Sequence, residues 1–306
     1  MTDTTNITTG RSRLRAFFGY EERSAMIFLA PVMLVLMTVA VFPILYSLYL
    51  SFFRIKLTRP NRTPFVWFDN YTDLFSNDLF WVSVTRTVVF SVVSVTAIAV
   101  IALLMSLLLN QNFRFRRLIS TIILVPWAIP YVANALMWKW IYDSGYGALN
   151  GMLFQLDFID RYMIWLGDQD KTIFLIANAF VWKEVPLATI LLLVSLKAIP
   201  PDLYAAARVD GATVWKRFVH VTLPAMKPGF MLVMIYETMM AIRHFDLFFI
   251  LTEGGPGDAS HVLSWHIYVE TFRNLSFGSG AAMSYVLALV TFALSYTFIR
   301  TLGRRV

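Results

Sequence analysis

Six ionisable residues stand inside long apolar stretches of this 306-residue chain: Lys183, Glu184, Glu237, Arg243, His244 and Asp246. A charge in hydrocarbon is costly, so such groups face a polar interior, pair with one another or serve a pathway. Two chemistries suit them. One is a lining of hydrogen-bonding heads for a hydroxylated solute, with Trp182, Tyr236 and Trp127 as flat faces for its rings. The other is a proton site on Glu184, Glu237 or Asp246. At helical spacing Glu237, Met240, Ala241, His244 and Phe248 form one stripe. Arg243 lies three residues before Asp246 on a neighbouring face, within reach for an ion pair. Lys183 and Glu184 are adjacent and point to different faces, so at most one of them is expected to line a shared passage. The expected lining is Trp182, Glu184, Tyr236, Glu237, Met240, Ala241, Arg243, His244 and Asp246, with Tyr131 and Asn134 as further candidates. The opposing reading is internal pairs and helix–helix hydrogen bonds that only hold a bundle together.

Other chemistry finds no residues. The sequence has no Gly-x4-Gly-Lys-Ser/Thr, so the chain is not expected to hydrolyse ATP. His220, His244, His261 and His266 fit no zinc spacing, and zero cysteines exclude disulfides and thiolate metal sites. No catalytic residue, metal site or cofactor is expected in this chain.

The elements that position the ionisable groups are membrane spans. Hydrophobic residues make up 58% of the chain and fall in blocks. About 20 apolar residues cross a bilayer, and the runs 26–53, 84–109, 118–142, 172–196, 229–251 and 281–301 qualify. The first run is too long for a signal-peptide core and is expected to stay as a tilted span. The third carries Pro126 and Pro130, which predict a kink. The sixth opens on Gly278, Gly280, Ala281, Ala282, Ser284 and Ala288, small residues that let helices approach closely. Arg86 sits near an interface, where it reaches toward water.

Basic residues sort by side. Arg11, Arg13, Arg15 and Arg23 precede the first run, and Arg114, Arg116 and Arg117 follow the second. Lys197, Arg208, Lys216, Arg217 and Lys227 follow the fourth, and Arg300, Arg304 and Arg305 close the chain. The positive-inside rule puts these segments, and both termini, in the cytoplasm. Arg54, Lys56, Arg59 and Arg62 in the first outer loop run against it. The net charge of +7 is therefore a matter of topology, and nucleic acid is not an expected partner. Trp67, Trp81, Trp138, Trp140 and Trp165 lie near the proposed interfaces, as an aromatic belt requires. The organisation expected is a cytoplasmic N-terminal segment (1–24) and a six-helix membrane domain (25–303), interrupted by a polar loop at 200–224.

That loop begins Pro200-Pro201-Asp202-Leu203-Tyr204-Ala205-Ala206-Ala207-Arg208-Val209-Asp210-Gly211. Pro201 suits a first helical position, Asp202 the positive end of the helix dipole, and the alanines are the strongest helix formers. Gly211 allows the left-handed turn that stops such a helix. A second short helix from Ala212 to His220 leads to Leu223-Pro224 and the fifth span. Alone, this pattern also fits an amphipathic helix lying on lipid.

The spacing is more specific. The segment resembles the Glu-Ala-Ala loop of binding-protein-dependent ABC importer permeases. Ala206, Ala207, Gly211, Leu223 and Pro224 match, Val221 replaces an isoleucine, and Ala205 stands where the glutamate falls. Leu251-Thr252-Glu253-Gly254-Gly255-Pro256-Gly257 is similar to a stretch of the carbohydrate branch, which includes maltose-type and glycerol-phosphate permeases. Ala30-Pro31, Pro43, Tyr46-Ser47 and Ser51-Phe52 also fit that branch. The resemblance covers about residues 20–303. It implies an all-α membrane protein of the type I ABC importer permease fold, with six transmembrane helices and a cytoplasmic coupling helix between spans 4 and 5. It implies a sugar, polyol, glycoside or related solute, moved by alternating access in the bacterial cell (inner) membrane. Implied partners are a second homologous permease, an ATPase dimer that binds ATP and Mg, a periplasmic or extracellular solute-binding protein, and the bilayer. Tyr204, Ala205, Ala206, Ala207, Arg208, Asp210, Gly211, Leu223 and Pro224 would couple to the ATPase, though an ion pair through the missing glutamate cannot form. The alternatives are a proton-coupled secondary transporter, against which the loop argues, and a membrane enzyme, for which no convergent acid–base or metal set exists.

Overall fold

The computed structural model describes residues 20–303. Of the basic residues that orient the chain, Arg11, Arg13, Arg15, Arg304 and Arg305 lie outside them. Among the described residues the structure is helical, apart from isolated bridges between Phe53 and Phe65 and between Lys56 and Ser276.

Four helices are long and apolar enough to cross a membrane: Ala25–Ser51, Asp78–Asn110, Gln169–Lys197 and Phe277–Thr301. Two further spans are bent pairs, Arg116–Ala128 with Tyr131–Ile141 at 94° and Val214–Ala225 with Lys227–Leu251 at 61°. In chain order these are spans 1 to 6. Span 2 runs to 33 residues, longer than its apolar run, because Asn77 caps it by accepting from the Leu79 N–H at 2.9 Å. Span 4 starts in the same way. The Asp168 carboxylate accepts from Asp170 and Lys171 amides at 3.0 and 3.3 Å and pairs with the Lys171 ammonium at 2.7 Å. Side chains that take up orphan amides fix where a helix begins.

Spans 2 and 4 form the centre. Ile98, Ala102 and Leu109 of one, and Ile176, Phe180, Ala188 and Leu192 of the other, are completely buried. Burial of small residues lets the two backbones come close. Span 5 crosses both, and Gly229 makes its approach to span 4 possible. A Cβ at Gly229 would stand 2.5 Å from the Cβ of Ser195. Span 6 packs on span 5, while its small-residue start, with Ala281, Ala282 and Met283 buried, meets Thr271 at Gly280 and Leu74, Phe80 and Leu263 at Met283. Span 1 leans on span 6, where the Tyr285 hydroxyl donates to the Ile44 carbonyl, is tied at buried Ser51 to Asn70, which donates to the Ser51 carbonyl at 2.7 Å, and elsewhere exposes apolar side chains along its length.

Candidate functional site

Two polar regions interrupt this apolar frame. The first lies where span 3 breaks. Pro130 has no N–H to continue the ladder, Ile129 is extended (ψ 130°), and a new helix starts at Tyr131. Span 4 faces this break with a buried Lys183–Glu184 pair. The Lys183 ammonium donates to the Trp127 carbonyl at 2.8 Å and lies 4.4 Å from the Tyr131 ring centroid. The Tyr131 hydroxyl donates to Glu184 Oε1 at 2.6 Å. His244 lies against Tyr131 (4.9 Å between centroids), Phe180 (4.9 Å) and Phe90 (6.4 Å). Glu237 is completely buried on the same side of span 5.

Several buried polar atoms here have no hydrogen-bond partner within the protein. They are both oxygens of Glu237, Glu184 Oε2, His244 Nε2, Asn134 Oδ1 and Trp138 Nε1. Buried polar groups are normally satisfied, so this concentration of free acceptors and donors among aromatic rings sets the region apart from the apolar frame. Trp182 meets Trp138 edge-on at 6.0 Å and stays half-buried, as do Tyr236 and Met240.

The stripe drawn on span 5 holds as a buried face: Glu237, Ala241, His244 and Phe248 all point inward. One expectation does not hold. The Arg243–Asp246 pair is absent from the ion pairs among the described residues, and Arg243 instead directs a guanidinium nitrogen at Met240 Sδ, 3.2 Å away. The helix stops at Ile242 and restarts at Asp246, so the three-residue spacing no longer places the two side chains together. Lys183 and Glu184, of which at most one is expected to line a passage, both touch span 3. Neighbouring side chains do leave a helix in different directions, but the bent third span wraps around span 4 and meets both. Asn134, a further candidate, donates to the Ala179 carbonyl at 3.2 Å and ties span 3 to span 4.

The second region is the 200–224 loop. Its helix runs Pro201–Val209 with Pro201 in the first turn, and Gly211 turns the corner at φ +73°. Thr213 caps the next helix by accepting from the Lys216 N–H at 3.3 Å. That helix continues through Leu223-Pro224 to Ala225, longer than the short helix expected to end at His220. No residue of the Pro201–Val209 helix is buried. Tyr204 and Ala207 are half-buried on its inner face, and the Tyr204 hydroxyl shares a hydrogen bond with Thr222 Oγ1 at 3.0 Å. Ala205, Ala206, Arg208 and Asp210 face outward. The motif gave no hint of the apolar side chains around them. Val209 is 88% exposed, Val214 74%, Trp215 70% and Leu203 48%.

The comparisons agree with this architecture. Residues 98–305 match the family described as binding-protein-dependent transport system inner membrane component. The chain belongs to that family, and it is the membrane-spanning permease subunit of an ABC importer, a system in which a separate subunit is the ATPase. It is 35% identical to the trehalose/maltose transport system permease protein MalF of Thermococcus litoralis, over 96% of this chain and 95% of that one. It is 31% identical to the sulfoquinovosyl glycerol transport system permease protein SmoG of Agrobacterium fabrum, over 90% and 89%. Its fold is similar to a chain of a bacterial ABC transporter involved in the import of the acidic polysaccharide alginate, with a TM-score of 0.80, 20% identity, and coverage of 93% and 96%. Membership in this family displaces the proton-coupled and membrane-enzyme alternatives.

Proposed function

We propose that this chain forms one half of the membrane pathway of an importer for a sugar or sugar-like solute, energised through its 200–224 loop. The observation that carries this reading is the loop itself. It is a small-residue helix with no buried side chain, turned by a left-handed glycine and ringed by exposed Leu203, Val209, Val214 and Trp215. Such a surface suits a protein cleft, with Arg208 and Lys216 at its rim, and the occupant is an ATPase subunit in the cytosol. A second, homologous permease completes the pathway, and a secreted solute-binding protein delivers the solute to the opposite face. ATP and Mg2+ are held by the ATPase pair. Closure of that pair pushes the loop, and the spans rock between inward-open and outward-open states.

The solute class is supported by the relatives, whose names record trehalose, maltose and sulfoquinovosyl glycerol. It is supported equally by the chemistry of the pathway. Glu184, Glu237 and His244 offer heads for hydroxyl groups, while Tyr131, Trp182 and Tyr236 offer faces for rings.

The test is uptake by membrane vesicles containing the complete transporter and its binding protein, using labelled maltose, trehalose and a sulfonated glycoside. At least one of these should accumulate with ATP and resist a proton uncoupler. Accumulation that collapses with the uncoupler and survives ATP depletion would overturn the assignment.

A further inference from the structure

The third span is broken inside the apolar frame, and a break leaves a backbone carbonyl to be satisfied. Ile129 N–H donates to the Pro126 carbonyl at 3.2 Å, and Asn134 N–H donates to the Pro130 carbonyl at 2.9 Å. No backbone amide beyond the break reaches the Trp127 carbonyl. Where water is excluded, such a group must find another donor. That donor is the Lys183 ammonium, 4% exposed and 2.8 Å away. The same cation lies over the Tyr131 ring, and the next residue of span 4, Glu184, accepts from the Tyr131 hydroxyl at 2.6 Å. Two consecutive residues of one continuous helix therefore hold both sides of the bend: Trp127 before it and Tyr131 after it.

Span 4 is also the element that ends at the loop. It runs unbroken from Gln169 to Lys197, and three residues later the Pro201–Val209 helix begins. Lys183 and Lys197 are about 21 Å apart along the axis at 1.5 Å per residue. Pro186 lies between them and removes one backbone donor without ending the helix.

We propose that Lys183 is a positioning residue for transport: it latches the break in span 3 to span 4, so that movement of the 200–224 loop changes the angle at that break. This role rests on the importer reading and goes beyond it. It assigns to a mid-membrane cation a mechanical task in place of contact with solute. A lysine suits the task because its long stem crosses to a carbonyl on another helix while its charge lies against an aromatic face.

The chain has no cysteine, so paired spin labels can be placed without background. One pair, Ile122→Cys with Leu136→Cys, straddles the break at exposed positions. A second pair, Gln111→Cys with Thr213→Cys, follows the loop. Distances are measured in the complete reconstituted transporter, without nucleotide and after trapping with ATP and vanadate. Both pairs should shift on trapping in the otherwise unaltered chain. With Lys183→Met the loop pair should still shift, whereas the shift across the break should fall by at least half. Lys183→Arg should restore it. Should Lys183→Met fail to assemble, Tyr131→Phe, which removes the second hold and keeps the ring, should reduce the shift across the break in the same direction. An unchanged shift across the break in an assembled Lys183→Met complex, or in Tyr131→Phe when Lys183→Met does not assemble, would overturn the latch and leave the importer reading intact. Absence of any loop shift in the unaltered chain would overturn the importer reading, and the latch with it.

Discussion

The 200–224 loop and the cluster around His244 break the burial rule in opposite directions. The loop exposes Val209 before span 5 and Val214 and Trp215 at its start, and the cluster buries Lys183, Glu184, Glu237 and His244 within the spans. Exposed large apolar side chains and buried charges are the informative exceptions in any fold. Here they divide the work. In the proposed function the loop presents an apolar surface to an ATPase subunit, and the cluster presents polar atoms to a polar guest or neighbour. Span 4 joins them, with Lys183 and Glu184 at its middle and Lys197 at its end.

If this division is right, damage to the loop should uncouple energy from transport, and damage to the cluster should change how solute is held. The largest effect is expected at Gly211. Its φ of +73° is strained for a side chain, although a Cβ there would meet nothing within 4 Å. Gly211→Val therefore remodels the corner without a clash, at a local cost of about 1–2 kcal/mol. Uptake should be abolished while membrane insertion, read by blotting of membrane fractions, stays normal. Gly211→Asn should retain uptake, because asparagine tolerates the left-handed region. Full uptake by Gly211→Val would remove the loop from the mechanism.

A smaller effect is expected at Trp215, whose exposed ring is suited to be the anchor of the docked surface. Trp215→Ala should weaken ATPase binding by roughly thirtyfold, about 2 kcal/mol, as loss of an interface hot spot does. Titration of the detergent-solubilised permease pair with the ATPase would measure this. Unchanged affinity would move the anchor elsewhere on the loop. In the cluster, Glu237→Leu should raise KM for solute about tenfold with a smaller change in maximal rate, since it removes hydrogen-bond acceptors from the bound state. A loss of rate at constant KM would instead make Glu237 part of the moving machinery.

The smallest effect concerns the segment between spans 5 and 6, which belongs to neither region. His266 is buried against Ser83 at 2.9 Å, with His261 beside it and Asp258 and Glu270 nearby. Burial pushes its pKa down from 6.5 to about 4. The unfolded chain then binds a proton that the folded chain refuses between those values, so the contribution of His266 to stability is present above pH 6.5 and lost as pH falls toward 4. The unfolding temperature should drop across that window. His266→Gln should flatten the drop, although His261, lowered in the same direction by burial, leaves part of it.

The loop was legible in the sequence because its signals are local. A proline start, an alanine face, a glycine stop and a fixed distance to Leu223-Pro224 need no tertiary contact to be read. Its apolar side chains were not, since Val214-Trp215 next to Lys216-Arg217 looks like the approach to a span. The spans themselves were legible by hydropathy, and Pro126 and Pro130 announced a kink. Neither proline says how far the chain turns, and the 94° bend is what brings span 3 onto both Lys183 and Glu184. Arg243 and Asp246 failed as a pair for a related reason: their spacing was read on a continuous helix, and the helix ends at Ile242. Local rules thus located the polar groups but not their partners, which depend on breaks in the helices.

The central claim is that the loop is the seat of a separate motor subunit, and Val209 is its most exposed apolar side chain at 88%. A photo-crosslinking amino acid placed at Val209 in the complete transporter, illuminated in native membranes, tests it directly. The expected product is an adduct between this chain and the ATPase subunit. Adducts formed only with lipid, or with the secreted binding protein on the opposite face, would contradict it.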